Sequence, residues 1–226
     1  MSNSFALILA ATPRSFEYIK TIHNIDAVIE KVFLLDDFSH LPGQRKIDAN
    51  GLMSNNILDF CSYKEIEVCR CEADVNSLET LLKIKKTVSD LIIYSGYGGQ
   101  IINNALLNLN KKILHIHAGS LPDYRGSTTI YYTVLNKHKC GVTAILLDKN
   151  IDTGIIVGEM EFSNPEPGVD YDYDVDINYR VQLLSKVARY YKENGCFKSY
   201  TKQDLNKGKT YYVAHPVLRH IAILQN

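Results

Sequence analysis

A short strand that ends in histidine and runs directly into a turn-rich loop constrains this chain more than any other segment. Residues 113–126 read ILHIHAGSLPDYRG, and a second loop containing Asp152-Thr153-Gly154 follows downstream. Open α/β sheets place their binding and catalytic groups where a strand ends beside a glycine-rich turn. The segment therefore predicts an α/β protein whose functional side chains lie at the end of this strand.

Two histidines are predicted to share one face of that strand. Side chains alternate along a strand, so His115 and His117 point to the same side, about 6.5–7 Å apart along the chain. Leu114 and Ile116 face the other way and can pack into the sheet. Asp152, which arrives on the later loop, can accept the Nδ1 proton of His117 and hold that ring in one tautomer.

Apolar runs of strand length alternate with helical spacing, which is the βαβ pattern of a doubly wound, mostly parallel sheet. The predicted strands are 5–10, 32–35, 67–70, 90–94, 113–117, 142–147 and 155–162, and the predicted helices are 14–23, 76–86, 128–136 and 178–193. The last two strands are predicted to pair antiparallel and complete the sheet. Residues 39–62 are expected to be largely irregular, with a helix around 51–60, and residues 164–176 to be an exposed connection.

The length of 226 residues can hold one large α/β domain with a modest appendage. The predicted organisation is a catalytic domain over residues 1–195 and a short C-terminal extension, residues 196–226, packed on its core as strand and loop.

Charge and composition argue against nucleic-acid and membrane partners. The chain has 25 Lys and Arg against 25 Asp and Glu, so its net charge predicts no basic surface for nucleic acid. A zero net charge is still compatible with a local basic patch. Phe5–Ala11 is apolar, but it has no basic leader and is too short to cross a bilayer, so it is predicted to be the first strand. Five irregularly spaced cysteines without an export signal indicate reduced thiols in a cytoplasm.

The strand-and-loop segment resembles the folate-dependent formyltransferases. Their pattern is Asn-x-His-x-Ser-Leu-Leu-Pro-x-x-Arg-Gly followed by Asp-Thr-Gly, and it is matched here by His117, Ser120, Leu121, Pro122, Arg125, Gly126, Asp152, Thr153 and Gly154. His115 stands where the family has its catalytic Asn. The resemblance implies a Rossmann-like formyltransferase fold, N10-formyltetrahydrofolate as formyl donor, and catalytic roles for His117 and Asp152. It gives His115 the oxyanion or orienting role, and it implies no metal.

The same resemblance implies two sets of binding residues. The predicted cofactor-binding residues are Ser95, Gly96, Tyr97, Gly98, Leu146, Leu147, Asp148, Ile151 and Asp152. The predicted substrate-binding residues are Thr12, Arg14, Gly119, Ser120, Arg125 and Gly126. For Arg125, contact with a phosphate or carboxylate and a simple surface position are both open.

Within the family, the sequence favours the nucleotide-sugar branch. The methionyl-tRNA branch carries a C-terminal barrel for which there is no room, and the glycinamide-ribonucleotide branch has a Gly/Ser-rich loop that residues 10–14 lack. The ending Tyr211-Tyr212-Val213-Ala214-His215-Pro216 is similar to that of enzymes that formylate UDP-linked 4-amino-4,6-dideoxy-N-acetyl hexoses, such as the pseudaminic-acid-type precursor, for surface or flagellar glycans. A homodimer is also implied, with the tail and the helix at 178–193 as candidate faces.

Two readings of a different class stay open. His115, His117 and Asp152 also form a possible His-x-His…Asp metal site, since two imidazoles and one carboxylate can bind zinc or iron. The second alternative is a non-catalytic binding domain on the same fold, because a fold does not dictate activity.

Overall fold

The computed structural model describes residues 3–37 and 48–224, and the chain divides into two compact units, residues 1–114 and 115–226. Of the stretch predicted to be largely irregular, residues 39–47 lie outside the described residues, whereas residues 48–62 belong to a helix over Asp48–Tyr63, longer than the helix predicted around 51–60. The division into compact units falls after residue 114 and does not test the predicted boundary between residues 195 and 196, which stays a prediction.

The first unit is built on four parallel strands in the order β3-β2-β1-β4. Its elements are β1 Phe5–Ala10, α1 Pro13–Asn24, β2 Ile29–Asp37, α2 Asp48–Tyr63, β3 Val68–Glu72, α3 Leu78–Ile84, β4 Leu91–Ser95 and α4 Asn104–Leu107. All of β1 and all of β4 are buried, as expected of strands covered on both faces. β1 pairs with β2 on one side and with β4 on the other, so the topological switch point lies beside the end of β1.

Local sequence signals explain why the helices of this unit begin where they do. Thr12 is the N-cap of α1, and its side chain accepts a hydrogen bond from the backbone N–H of Ser15. Pro13 then occupies the first helical turn, where a missing N–H costs nothing. Ser77 caps α3 in the same way through the N–H of Thr80. These caps confirm two of the helices predicted from the sequence.

The second unit contains the strand end with the two histidines and a second, smaller sheet. β5 Lys112–His117 ends in this unit, and its other elements are β6 Tyr124–Gly126, α5 Thr129–Leu135, β7 Cys140–Leu146, β8 Ile155–Phe162, a π-helix Tyr171–Val175, α6 Asp176–Asn194, β9 Lys209–Tyr211 and α7 Pro216–Leu224. β7 and β8 pair antiparallel, as predicted, and β5, β7 and β8 are neighbours in that order. The parallel strands of the first unit and the order β5-β7-β8 in the second confirm the predicted mostly parallel α/β, Rossmann-like class.

The C-terminal residues do more than the sequence pattern predicted. They include the helix α7 and the strand β9. β9 pairs in parallel with β6, the short strand that follows the loop after β5. Tyr171, in the stretch expected to be exposed, is fully buried, and its hydroxyl donates to the carbonyl of Ala222 in α7. The prolines and acidic residues around Tyr171 obscured the apolar spacing that a buried turn would show.

None of the helices in the described part of the chain combines the length and apolar character that crossing a membrane requires. The five cysteines all lie in that part and are free thiols.

Glu30 at the start of β2 holds the turn between α3 and β4. Its carboxylate accepts hydrogen bonds from the Thr87 hydroxyl, the Val88 N–H and both the N–H and hydroxyl of Ser89. Burial raises the pKa of Glu30, but the hydrogen bonds from Ser89, Thr87 and Val88 outweigh it and lower that pKa to about 2. The folded state therefore binds this proton more weakly than the unfolded chain does.

We predict that Glu30→Gln lowers the free energy of unfolding by about 1–2 kcal/mol at neutral pH, because charge-assisted hydrogen bonds are replaced by neutral ones. Since the folded-state pKa is depressed, this stabilisation is complete above pH 4.5 and is lost as the pH falls towards about 2. Urea unfolding at several pH values measures both. Glu17→Gln, which removes an exposed ion pair with Lys20, is the control and should cost under about 0.5 kcal/mol. Equal losses in the two variants at neutral pH would contradict the prediction.

Candidate active site

The end of β5 brings together the three residues that the sequence singled out. One nitrogen from each of His115 and His117 and one carboxylate oxygen of Asp152 lie within 4.8 Å of one another. His117 is buried, whereas His115 and Asp152 are half-buried. Leu114 and Ile116 are fully buried, as expected from alternation along the strand. The three polar groups therefore form a compact cluster.

Both ring nitrogens of His117 face oxygen atoms. Nε2 lies 2.6 Å from the backbone carbonyl oxygen of Tyr124, and because that oxygen can only accept, Nε2 carries the proton. In the neutral ring the lone pair is therefore on Nδ1. Nδ1 lies 3.4 Å from Oδ2 of Asp152. The basic nitrogen of His117 thus faces the carboxylate, so the expectation that Asp152 accepts an Nδ1 proton is wrong for the neutral ring: the Tyr124 carbonyl, not Asp152, sets the tautomer.

Burial and the two oxygen acceptors act on His117 in opposite directions. Removal of the ring from water lowers the pKa of His117, and the positive charge of Arg180 lowers it further. The Asp152 carboxylate and the Tyr124 carbonyl raise that pKa, since both favour the imidazolium, but the loss of solvation is the largest of these effects. The folded protein therefore holds a neutral imidazole next to a carboxylate.

Asp152 is held from both its side chain and its backbone. Its Oδ2 accepts a hydrogen bond of 2.8 Å from the N–H of Gly126. Its backbone has a φ of 53°, in the left-handed region that Asp tolerates better than most residues. The side-chain amide of Gln203 donates to the carbonyl oxygens of Asp152 and Gly154 at 2.9 and 2.8 Å. Gln203 therefore fixes the turn that presents the carboxylate.

The loop after β5 closes tightly on the His117 ring, and this requires Gly119. A Cβ at this position would lie 2.7 Å from the Tyr124 carbonyl oxygen and 2.8 Å from Nε2 of His117. The hydroxyl of Thr143, buried in β7, donates to the Gly119 carbonyl and accepts from the N–H of Leu121. These contacts hold the loop against the ring.

Of the residues predicted to bind substrate, Gly119, Ser120, Arg125 and Gly126 lie in this loop and in β6. Ser120 is half-buried and packs against Gly141, where a Cβ would meet its Oγ at 2.0 Å. Gly126 has a φ of 100°, and a Cβ there would meet the Tyr211 carbonyl oxygen at 2.0 Å. Arg125 is buried rather than at the surface. Its Nη2 donates to the Lys207 carbonyl, while its Nη1 has no hydrogen-bond partner among residues 3–37 and 48–224.

The predicted binding residues of the first unit contact each other at the switch point beside β1. Arg14 donates through Nε to the Ser95 hydroxyl at 3.1 Å and through Nη2 to the Gly96 carbonyl at 2.7 Å. The Tyr97 hydroxyl donates to the Leu35 carbonyl and accepts from the N–H of Ala11. Thr12 caps α1, and a Cβ at Gly98 would meet nothing within 4 Å. Residues assigned to cofactor and to substrate thus belong to one hydrogen-bonded set.

The other predicted cofactor residues lie in and after β7. Leu146 and Leu147 are half-buried, whereas Asp148 and Ile151 are exposed. The Asp148 carboxylate accepts from the Thr153 hydroxyl and the Asn150 N–H, so it shapes the turn that leads to Asp152.

A family model described as "Formyl transferase" matches residues 61–163, a range that contains His115, His117 and Asp152. This match covers a little under half of the chain, and over that range the chain is similar to the formyl transferases. A methionyl-tRNA formyltransferase from Trichormus variabilis is 28% identical over 136 residues, which is 57% of this chain and 40% of that protein. The chain thus spans less than half the length of this curated relative.

Solved structures of formyltransferases share the fold of this chain at low identity. A 4-N formyltransferase from Francisella tularensis gives a TM-score of 0.65 at 17% identity, over 99% of this chain and 87% of that one. An N-formyltransferase from Helicobacter canadensis, in complex with folinic acid and dTDP-3-aminofucose, gives 0.58 at 16% identity, over 94% and 71%.

Two residues that frame the site, Gln203 and Thr143, were not singled out from the sequence. Gln203 lies beyond the matched range, in a polar segment without a recognised motif. Thr143 lies inside an apolar strand, where a threonine gives no signal of the loop that it holds. Only the contacts of Gln203 with the Asp152 backbone and of Thr143 with Gly119 reveal them.

We predict that Gly119→Ala lowers the free energy of unfolding by about 1–3 kcal/mol, because the added methyl group must displace the His117 ring or the Tyr124 carbonyl. It should also shift the NMR signals of the His117 ring nitrogens. Gly98→Ala is the matched control, since a Cβ there meets no atom within 4 Å. If Gly119→Ala were as stable as Gly98→Ala and left the ring signals in place, the close approach of loop and ring would be refuted.

Proposed function

We propose that this protein transfers the formyl group of N10-formyltetrahydrofolate to the amine of a nucleotide-linked amino-deoxy sugar. The observation that carries the proposal is the His117–Asp152 pair with His115 beside it, within the range that the formyl transferase family model matches. Folinic acid and an amino-sugar nucleotide in the Helicobacter canadensis structure support the choice of donor and acceptor class.

Formyl transfer needs a group that removes a proton from the attacking amine or from the tetrahedral adduct. Nδ1 of His117 carries the lone pair, because Nε2 donates to the Tyr124 carbonyl. The pKa of His117 is lowered by burial, so the ring is neutral and ready to accept a proton at physiological pH. The imidazolium that forms at Nδ1 is then stabilised by the Asp152 carboxylate 3.4 Å away.

The oxyanion of the tetrahedral adduct needs a hydrogen-bond donor. His115 lies in the cluster on the same strand and is more exposed than His117. We assign it this role, which it performs by an imidazole N–H in place of the family's Asn side chain. In this proposal His117 accepts the proton of the amine, and His115 donates a hydrogen bond to the oxyanion.

For the acceptor, we propose a UDP-linked 4-amino-4,6-dideoxy-N-acetyl hexose of glycan biosynthesis, handled by a cytoplasmic homodimer. The neutral charge balance and the sugar enzymes among the similar folds support a sugar over tRNA. The methionyl-tRNA formyltransferases among the sequence relatives are the reason to test both. A screen of formyl transfer from N10-formyltetrahydrofolate to UDP- and dTDP-amino sugars and to methionyl-tRNA decides: turnover of methionyl-tRNA alone would reject the sugar.

We predict that His117→Asn and Asp152→Asn each lower kcat by roughly 10²–10⁴, the usual loss when an acid–base group or its charged partner is removed. Steady-state kinetics with the best acceptor from the screen measures this, and near-UV circular dichroism checks that each variant keeps its fold. Asp90→Asn, which removes an exposed ion pair with Lys111 away from the cluster, is the control and should keep the wild-type kcat. Turnover near that of the wild type in His117→Asn would exclude the proposed base.

His115 separates the formyl-transfer proposal from its rivals. If it donates to the oxyanion, His115→Asn keeps a donor and should retain far more activity than His115→Ala, since loss of one donor costs about 10²–10³ in kcat. Both variants are assayed with and without a chelator. Equal damage from Asn and Ala would contradict the donor role, and equal activity of all three proteins would show that His115 takes no part in the reaction.

A further inference from the structure

We propose that His115, His117 and Asp152 also form a binding site for one Zn²⁺ ion. The three residues supply two imidazole nitrogens and one carboxylate oxygen, which is a donor set that suits zinc rather than magnesium or calcium. Their ligand atoms already lie within 4.8 Å of one another. Nothing in the formyl-transfer chemistry requires such an ion, so the site is a separate property of this chain.

The distance between two of the donors agrees with a shared zinc ion. Tetrahedral zinc with bonds of about 2.0–2.1 Å has ligand atoms roughly 3.3 Å from one another. Nδ1 of His117 and Oδ2 of Asp152 are 3.4 Å apart. This is longer than a good hydrogen bond between a nitrogen and an oxygen, but it matches one edge of a zinc tetrahedron.

The surroundings of the donors are those of zinc ligands. A metal-binding histidine usually donates its other ring N–H to a carbonyl or carboxylate, and Nε2 of His117 donates to the Tyr124 carbonyl. That contact leaves the Nδ1 lone pair free of a proton and directed to the Asp152 side. The ligating carboxylate is itself held by the N–H of Gly126. Both donors are therefore oriented before any ion arrives.

His115 supplies the third donor. Two neutral imidazoles and one carboxylate leave a bound Zn²⁺ with one net positive charge and an open fourth position, as in catalytic zinc sites. The half-exposed positions of His115 and Asp152 give an ion access to the buried Nδ1. Asn at position 115 would offer only a weak amide oxygen, so the presence of His at this position completes the donor set.

Zinc would use the same lone pair that the proposed reaction needs. A metal on Nδ1 of His117 prevents that nitrogen from accepting the proton of the amine, so zinc should inhibit formyl transfer. This consequence rests on the proposed function, whereas zinc binding itself does not.

The binding test uses the full chain without a histidine tag, stripped with a chelator and dialysed. Calorimetric titration with ZnCl₂ should show one equivalent bound to the wild type. His115→Asn should raise Kd at least tenfold, and Asp152→Asn should do the same. His220→Asn, which removes an exposed histidine far along the chain in α7, should leave Kd unchanged. Co²⁺ in place of Zn²⁺ should give the intense visible bands of a four-coordinate site in the wild type and lose them in His115→Asn.

No zinc binding by the wild type, or the same Kd in the wild type, His115→Asn and Asp152→Asn, would overturn the zinc site. Near-UV circular dichroism confirms that the variants compared are folded. In the kinetic arm, each protein's rate with Zn²⁺ is divided by its own metal-free rate, and inhibition should be lost in His115→Asn. Zinc binding without formyl transfer to any acceptor would reject the proposed function and leave the zinc site standing.

Discussion

The contact between Nε2 of His117 and the carbonyl oxygen of Tyr124 is the interaction on which this site depends. It joins the end of β5 to a residue seven positions later, so the intervening loop must fold back over the imidazole. The fold-back is possible because Gly119 has no Cβ and because Thr143 bonds to the loop at two points. By placing the proton on Nε2, the contact decides that the basic nitrogen points at Asp152.

The C-terminal residues hold the other half of the pair. Gly126, whose N–H binds the Asp152 carboxylate, lies in β6, and β6 is paired with β9. The close approach of Gly126 to the Tyr211 carbonyl fixes the register of these two strands. Gln203 restrains the backbone of the Asp152 turn from the same segment. The segment predicted to be an extension packed on the core is therefore part of the frame that positions the carboxylate.

The sequence predicted the fold class and the membership of the cluster well, for physical reasons. Burial of both sheet faces gives continuous apolar strands such as β1, and alternation along β5 puts His115 and His117 on one side. What it missed depends on contacts between distant residues. The helix α7 and the buried Tyr171 lie in stretches whose local composition resembles exposed chain. Gln203 acts on Asp152 across 51 positions of sequence, and no local pattern encodes such a contact.

The interior of the site also shows why a motif alone does not specify chemistry. The motif residues place Asp152 beside His117 whichever ring nitrogen carries the proton. The tautomer is decided by the loop after β5, which brings the Tyr124 carbonyl to Nε2. With the proton on Nε2, a lone pair and a carboxylate face each other across 3.4 Å, and two acceptors in that position need a positive species between them.

A proton taken from an amine meets this need during acyl transfer. A zinc ion meets it equally well once a second imidazole stands nearby, and His115 is the residue that provides it. The proposed acid–base chemistry and the proposed metal binding therefore rest on one electrostatic feature, and the residue at position 115 decides whether both are open to this chain.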